Sequence, residues 1–324
     1  MVRTSPDLSR ACPHRTGRVL GPMLIWILAC SLVGAGTRTE KQGDAMAESL
    51  WSKWRASTVD VAVRMPSSGE LRRVQRLFLQ TLRGDRGQEL QRQWRALGCR
   101  FAPLGDGTIW ILEETRREGR GFYAFRPIEA LPVVIQAPHV FHDLGSGPIV
   151  ARLFTENRWL AAAWNTAPRR TKLDDGSKLD FSNRDDTYFQ AFTLAASQVM
   201  TRGRVVQIHG FDAAKRRTAQ GRKSAVILSS GQQKPGTTLT TIGGCMTALE
   251  LGEVRLFGVD VFELGATRNK QGRLLQGVAG VAFVHLELNR ATRERLEREG
   301  TLRGRMAKCL ADLRVCRHPR RGGR

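Results

Sequence analysis

Six short runs between residues 131 and 288 read as strands: PVVIQ (132–136), LAAAW (160–164), RVVQIH (204–209), AVILS (225–229), residues 254–261 and VAFVHLEL (281–288). Strands that are apolar along most of their length must be covered on both faces. Helical patterns lie between several of them, over 148–156, 186–200 and 239–250. Strands alternating with helices predict an α/β fold, a mixed and mostly parallel sheet with helices on both faces. No GxGxxG links a strand to a helix, which argues against a dinucleotide-binding dehydrogenase. No GxSxG elbow accompanies Ser229 and Ser230, which argues against a serine hydrolase.

Ahead of this domain, residues 37–130 read as a small α+β segment. From Gly69 to Leu97 apolar residues recur at helical spacing (Leu71, Val74, Leu77, Phe78, Leu82, Leu90, Trp94), with Gly84 and Gly87 dividing the pattern in two. Strand-like runs follow at 108–113 and 121–126. The segment is either a cap or an appendage of the main sheet. The α/β domain is expected over 131–316, closing with a basic helix from Arg290, and 317–324 form a basic tail.

Residues 1–36 carry the parts of an export signal: Arg3, Arg10, Arg15 and Arg18, then the apolar run VLGPMLIWILACSLVGAG, then polar sequence. The run is at the lower limit for a membrane span, so the expectation is a signal peptide or a retained N-terminal anchor. The protein would then be periplasmic or extracellular, in contact with membrane only through an uncleaved N-terminus. Outside that segment the cysteines are Cys99, Cys245, Cys309 and Cys316. Export would let them pair, but the sequence leaves the connectivity open. The formal net charge is +22, which points to an anionic partner or substrate.

The chemistry-bearing residues gather at strand ends. His139, His142 and Asp143 follow PVVIQ, and His209 ends RVVQIH. In an open α/β sheet ligands bind beyond the carboxyl ends of the strands, so two strands deliver imidazoles to one edge. Imidazoles and a carboxylate converging from separate elements suit a zinc ion. Glu287 is a carboxylate in an otherwise apolar strand. Burial there would tune it as a general base. Arg169 and Arg290 lie beside these strands and can grip a carboxylate; Asn269 lies in a loop after another.

The motifs APHVFHD, WNTAPRR, VVQIHGF, LGATRNKQG and VHLELNR, in that order over about 132–290, resemble the N-formylglutamate amidohydrolase-like group within the zinc carboxypeptidase-like superfamily. The resemblance implies a phosphorylase/hydrolase-type α/β fold and a zinc-activated water that cleaves an amide. His139 matches the first histidine ligand, His209 the later one and Glu287 the carboxylate of the last core strand. The superfamily places a glutamate three residues after the first histidine. Here that position is His142, with Asp143 next, so the second ligand is one or the other. Arg169 or Arg290, with Asn269, would bind substrate. The expected substrate is an amide beside a carboxylate, in an acidic small molecule or peptide: an N-acyl-glutamate, a γ-glutamyl compound or a cell-wall peptide. The competing expectation is a non-catalytic exported module that binds an anionic cell-envelope polymer or surface. No nucleic acid is expected, because no recognition motif accompanies the charge.

Overall fold

The computed structural model describes residues 43–59, 62–126 and 129–312. The expected export segment, the 317–324 tail and Cys316 lie outside the described residues. The front of the chain forms α1 (43–56), α2 (Ser68–Leu82) and α3 (Gln88–Ala96), then β1 (Cys99–Leu104), β2 (Ile109–Glu114) and β3 (Phe122–Phe125). The rest runs β4 (Leu131–Ala137), α4 (Ser146–Glu156), β5 (Trp159–Trp164), α5 (Tyr188–Val199), β6 (Gly203–Gly210), α6 (Ala219–Lys223) and β7 (Ser224–Ser229). It closes with α7 (Thr237–Thr247), β8 (Glu253–Leu256), α8 (Lys270–Gln276), β9 (Val281–Leu288), α9 (Arg290–Arg298) and α10 (Gly300–Ala311). Among the described residues no helix is long and apolar enough to cross a membrane.

All nine strands join one mixed sheet, in the order β1-β2-β3-β5-β4-β6-β9-β7-β8. The centre is parallel: β5, β4, β6 and β9 all run the same way. β7 and β8 pair in parallel with each other but antiparallel to β9. The front strands form an antiparallel meander whose β3 pairs with β5, Phe122 opposite Trp164. The front segment therefore extends the main sheet.

Strand alternation sends successive side chains to opposite faces, and each face has its own helical cover. One core joins Val133, Ile135, Val206, Ile208, Val284 and Leu286 to apolar residues of α1, α4, α7, α9 and α10. The other joins Val134, Val205 and Phe283 to residues of α2, α3, α5 and α8. Phe78 sits at the heart of the second core, with ring centroids 5.0 Å from Trp94, 4.8 Å from Tyr123 and 5.3 Å from Phe192. The Ser67 side chain caps α2 by accepting from the Glu70 amide, which satisfies one of the free N–H groups of the first turn. The Glu114 carboxylate accepts the backbone N–H groups of Glu118, Gly119 and Arg120 and so fixes the turn into β3.

Two expected elements change their extent. The strand expected over 254–261 stops at Leu256, because the Asp260 carboxylate accepts the Leu256 amide at 2.7 Å and folds the chain into a turn at Gly258, φ 85°. The basic helix after β9 is two helices, since Glu299 is extended (φ −97°, ψ 94°) between them. Cys245 of α7 and Cys309 of α10 form a disulfide, which resolves the pairing of those two. Nearby, the buried Arg204 guanidinium donates to the carbonyls of Cys309, Leu310 and Asp312, giving the end of α10 the hydrogen bonds it lacks.

Candidate metal and catalytic site

On the face covered by α2, α5 and α8, the central strands change character along their length. β4 reads Val134 then Gln136; β6 reads Val205, Gln207, His209; β9 reads Val281, Phe283, His285, Glu287. Register aligns these changes: Gln136 is opposite Gln207, Gln207 opposite His285 and His209 opposite Glu287. The same face is thus a dry core at one end and a polar, buried row at the carboxyl ends of the strands.

The loop after β4 completes the row. The amides of His142 and Asp143 both donate to the His139 carbonyl, at 2.9 and 2.8 Å, which winds the loop so that His139 and Asp143 share one side. Asn165, just past β5, pins this loop by accepting the Val140 amide and donating to the Ala167 carbonyl. Asp143 Oδ2 lies 3.0 Å from His209 Nδ1 and 3.6 Å from His139 Nδ1. Each of these three residues is buried.

The far nitrogens of both imidazoles are held from behind. His139 Nε2 lies 2.8 Å from Asp180 Oδ1 and 3.1 Å from Ser182 Oγ. His209 Nε2 faces Gln207 Oε1 at 3.4 Å. The orientation of the Gln207 amide follows from its neighbours. Its Nε2 donates to Gln136 Oε1 and Gln271 Oε1, and its Oε1 accepts from Asn269 Nδ2 at 2.7 Å. That oxygen can only accept, as can the Asp143 carboxylate, so His209 meets an acceptor at each ring nitrogen; a metal on Nδ1 would leave the ring proton on Nε2, facing Gln207.

A second group shares His209. The rings of His209 and His285 are 4.5 Å apart, and His285 Nε2 is 3.7 Å from Glu287 Oε1. His285 Nδ1 is buried and has no hydrogen-bond partner among the described residues. Burial, with the Asp143 charge adding to it, pushes the Glu287 carboxyl up to about 8. Burial opposes a charged His139, yet the Asp143 and Asp180 carboxylates outweigh it and hold its pKa above the ordinary value. Burial lowers His209 and, more strongly, His285. Asp143 stays far below the usual carboxylate range: burial works against its charge, and the two histidines prevail.

These residues fit a divalent metal. His139, Asp143 and His209 bring ligand atoms within 4.8 Å of one another, as do His209, His285 and Glu287. Rings fixed through Nε2, with Nδ1 turned to the ion, are the usual arrangement of metal-binding histidines. Arg169 Nη1 approaches His139 Nδ1 at 3.3 Å. It brings a cation to the edge of the group, where an anionic ligand would find it.

Of the residues expected from sequence, His139, Asp143, His209, Glu287 and Arg169 come together. His142 belongs to neither group of converging ligand atoms among the described residues. Arg290 is exposed at the start of α9 and pairs with Glu294 at 2.7 Å. Asn269 caps α8 by accepting the Gly272 amide and also supports Gln207. Asp180, Ser182, Gln207 and His285 are not among the site residues expected from the sequence. For Gln207 and His285 a signal existed: each is a polar residue in an apolar strand, two positions before His209 or Glu287.

No protein-family model matches the chain, and no curated protein matches it. Among solved structures, an N-formylglutamate amidohydrolase from Ralstonia eutropha JMP134 is similar at a TM-score of 0.36 and 16% identity, over 60% of this chain and 96% of that one. The LapA aminopeptidase of Legionella pneumophila is similar at a TM-score of 0.38 and 10% identity, over 94% of this chain and 80% of that one.

Proposed function

We propose that this chain is an exported, zinc-dependent hydrolase that cleaves an amide beside a carboxylate. The observation that carries the reading is the buried convergence of His139 Nδ1, His209 Nδ1 and Asp143 Oδ2 next to a protonatable Glu287. Two imidazoles and one carboxylate are a donor set that zinc accepts, with a position left for exchange. Zinc, when bound, supplies a Lewis acid that polarises the amide carbonyl and makes water a better nucleophile at neutral pH. Asp180 and Gln207 hold the imidazoles with their Nδ1 atoms inward. In its ionised form Glu287 takes a proton from the attacking water and, once protonated, returns it to the leaving amine. Arg169 holds the substrate carboxylate and steadies the oxyanion. The N-terminal segment supports export, and N-acyl-glutamates or acidic wall peptides are the substrates that this combination favours.

The test is metal content. Purified protein should hold about one zinc per chain, and His139→Ala and His209→Ala should each lose it together with hydrolysis of N-acyl-glutamates. Protein that holds no zinc after zinc is offered and the excess removed would sink the reading. The net charge favours a second one, binding of an anionic polymer without catalysis. Such binding would survive chelation and fade in salt.

A further inference from the structure

Outside the residues of the proposed centre, one cavity has a strong chemical character. It measures about 640 Å³ and lies between the loop after β6 and the loop after β8. Lys215, Arg216, Arg217 and Arg268 line it, against the single carboxylate of Glu263. That carboxylate is already engaged: it accepts from the Thr218 hydroxyl at 2.6 Å and from the amides of Arg217 and Thr218. Its effect is to hold the basic loop in place. Arg217 and Arg268 are exposed and form no ion pair among the described residues. Phe262 lines the same cavity with 71% of its surface exposed.

The chain links the basic side of this cavity to the strand that carries His209. The loop that carries Lys215 to Arg217 leaves β6 directly after His209 and Gly210. Its first amide, that of Phe211, donates to the Leu288 carbonyl beside Glu287.

We propose that this cavity is a subsite for the acidic extension of a peptide substrate, holding two or more side-chain carboxylates beyond the bond that is cleaved. Guanidinium groups grip carboxylates in a planar fork. The exposed Phe262 ring gives the methylene stems of glutamyl side chains an apolar surface, which a phosphate chain would not use. The proposal rests on the hydrolase reading above and adds the substrate's length and charge.

The test uses the full chain and calorimetric binding of N-acetylated penta-glutamate, with N-acetylglutamate as the short comparison. Penta-glutamate should bind about tenfold more tightly, and Arg217→Glu with Arg268→Glu should remove that gain. The milder pair Arg217→Gln with Arg268→Gln should remove part of it. An equal charge change on and just after α2, Arg72→Glu with Arg83→Glu, should leave it. Equal losses in the cavity pair and the α2 pair would mean attraction by diffuse charge and would overturn the subsite. Inorganic polyphosphate of matched charge, bound as tightly and with the same dependence on Arg217 and Arg268, would overturn the peptide assignment. Cavity-dependent binding without cleavage would support the subsite while removing the hydrolase reading, so the two fail separately.

Discussion

The side-chain oxygen of Gln207 faces Nε2 of His209 from two residues back on the same strand, 3.4 Å away. Because both N–H bonds of that amide are spent on Gln136 and Gln271, its oxygen is an acceptor held ready for a proton on Nε2. Gln207→Leu should remove the acceptor that an Nε2 proton meets. In protein carrying nitrogen-15 histidine, the Nε2-protonated share of the His209 ring should fall, and metal affinity should fall about 10–100-fold. An unchanged ring spectrum would remove Gln207 from this role.

Asp180 does for His139 what Gln207 does for His209, with a charged oxygen at 2.8 Å. Asp180→Ala should weaken metal binding by about 10–100-fold without abolishing it. Asp143→Ala should abolish it, and His142→Ala should leave it near the parent value. Dialysis against a chromophoric chelator ranks all three. Loss in His142→Ala with retention in Asp143→Ala would reverse the ligand assignment.

Glu287 also sets a pH dependence in metal-free protein. Its folded pKa of about 8 exceeds the ordinary 4.5. The protonated form is thus the one that folding favours. This contribution is complete below 4.5 and is lost as pH rises through 8. Urea unfolding across that window should show stability falling more steeply in the parent than in Glu287→Gln. Parallel curves would show that Glu287 does not titrate in this way.

The Cys245–Cys309 bond closes a loop with a sequence separation of 64 that contains β8, α8, β9 and α9. Replacing both cysteines by alanine should cost about 2–4 kcal/mol, read as a lower urea midpoint. An unchanged midpoint would mean that α7 and α10 hold together by packing alone.

The sheet was legible because its strands are apolar on both faces. The 281–288 strand agrees residue for residue, and β4, β5, β6 and β7 agree within one residue at either end. β1 was not read, since CRFAPL mixes a charge and a proline into a short run. α8 leaves little trace in the sequence because KQGRLLQ offers little apolar stripe, and Asn269, expected at a binding site, caps that helix. The centre was legible where two signals coincided, a strand end and a histidine. Asp180 carries neither. It sits in an acid-rich loop between β5 and α5, and only the folded chain brings it to His139. Arg290 follows a site strand in sequence, but α9 begins there and turns its side chain to solvent.

β9 alternates between two duties. Val284, Leu286 and Leu288 lie in one core, while His285 and Glu287 look the other way. Leu286→Ala should therefore cost about 2–5 kcal/mol, whereas changes at 285 or 287 leave that core intact. Core packing and the candidate centre are written on alternate letters of one strand. The vulnerability is the frame: inserting or deleting one residue within β9 exchanges the two sets at once, so this segment tolerates substitution far better than any change of length.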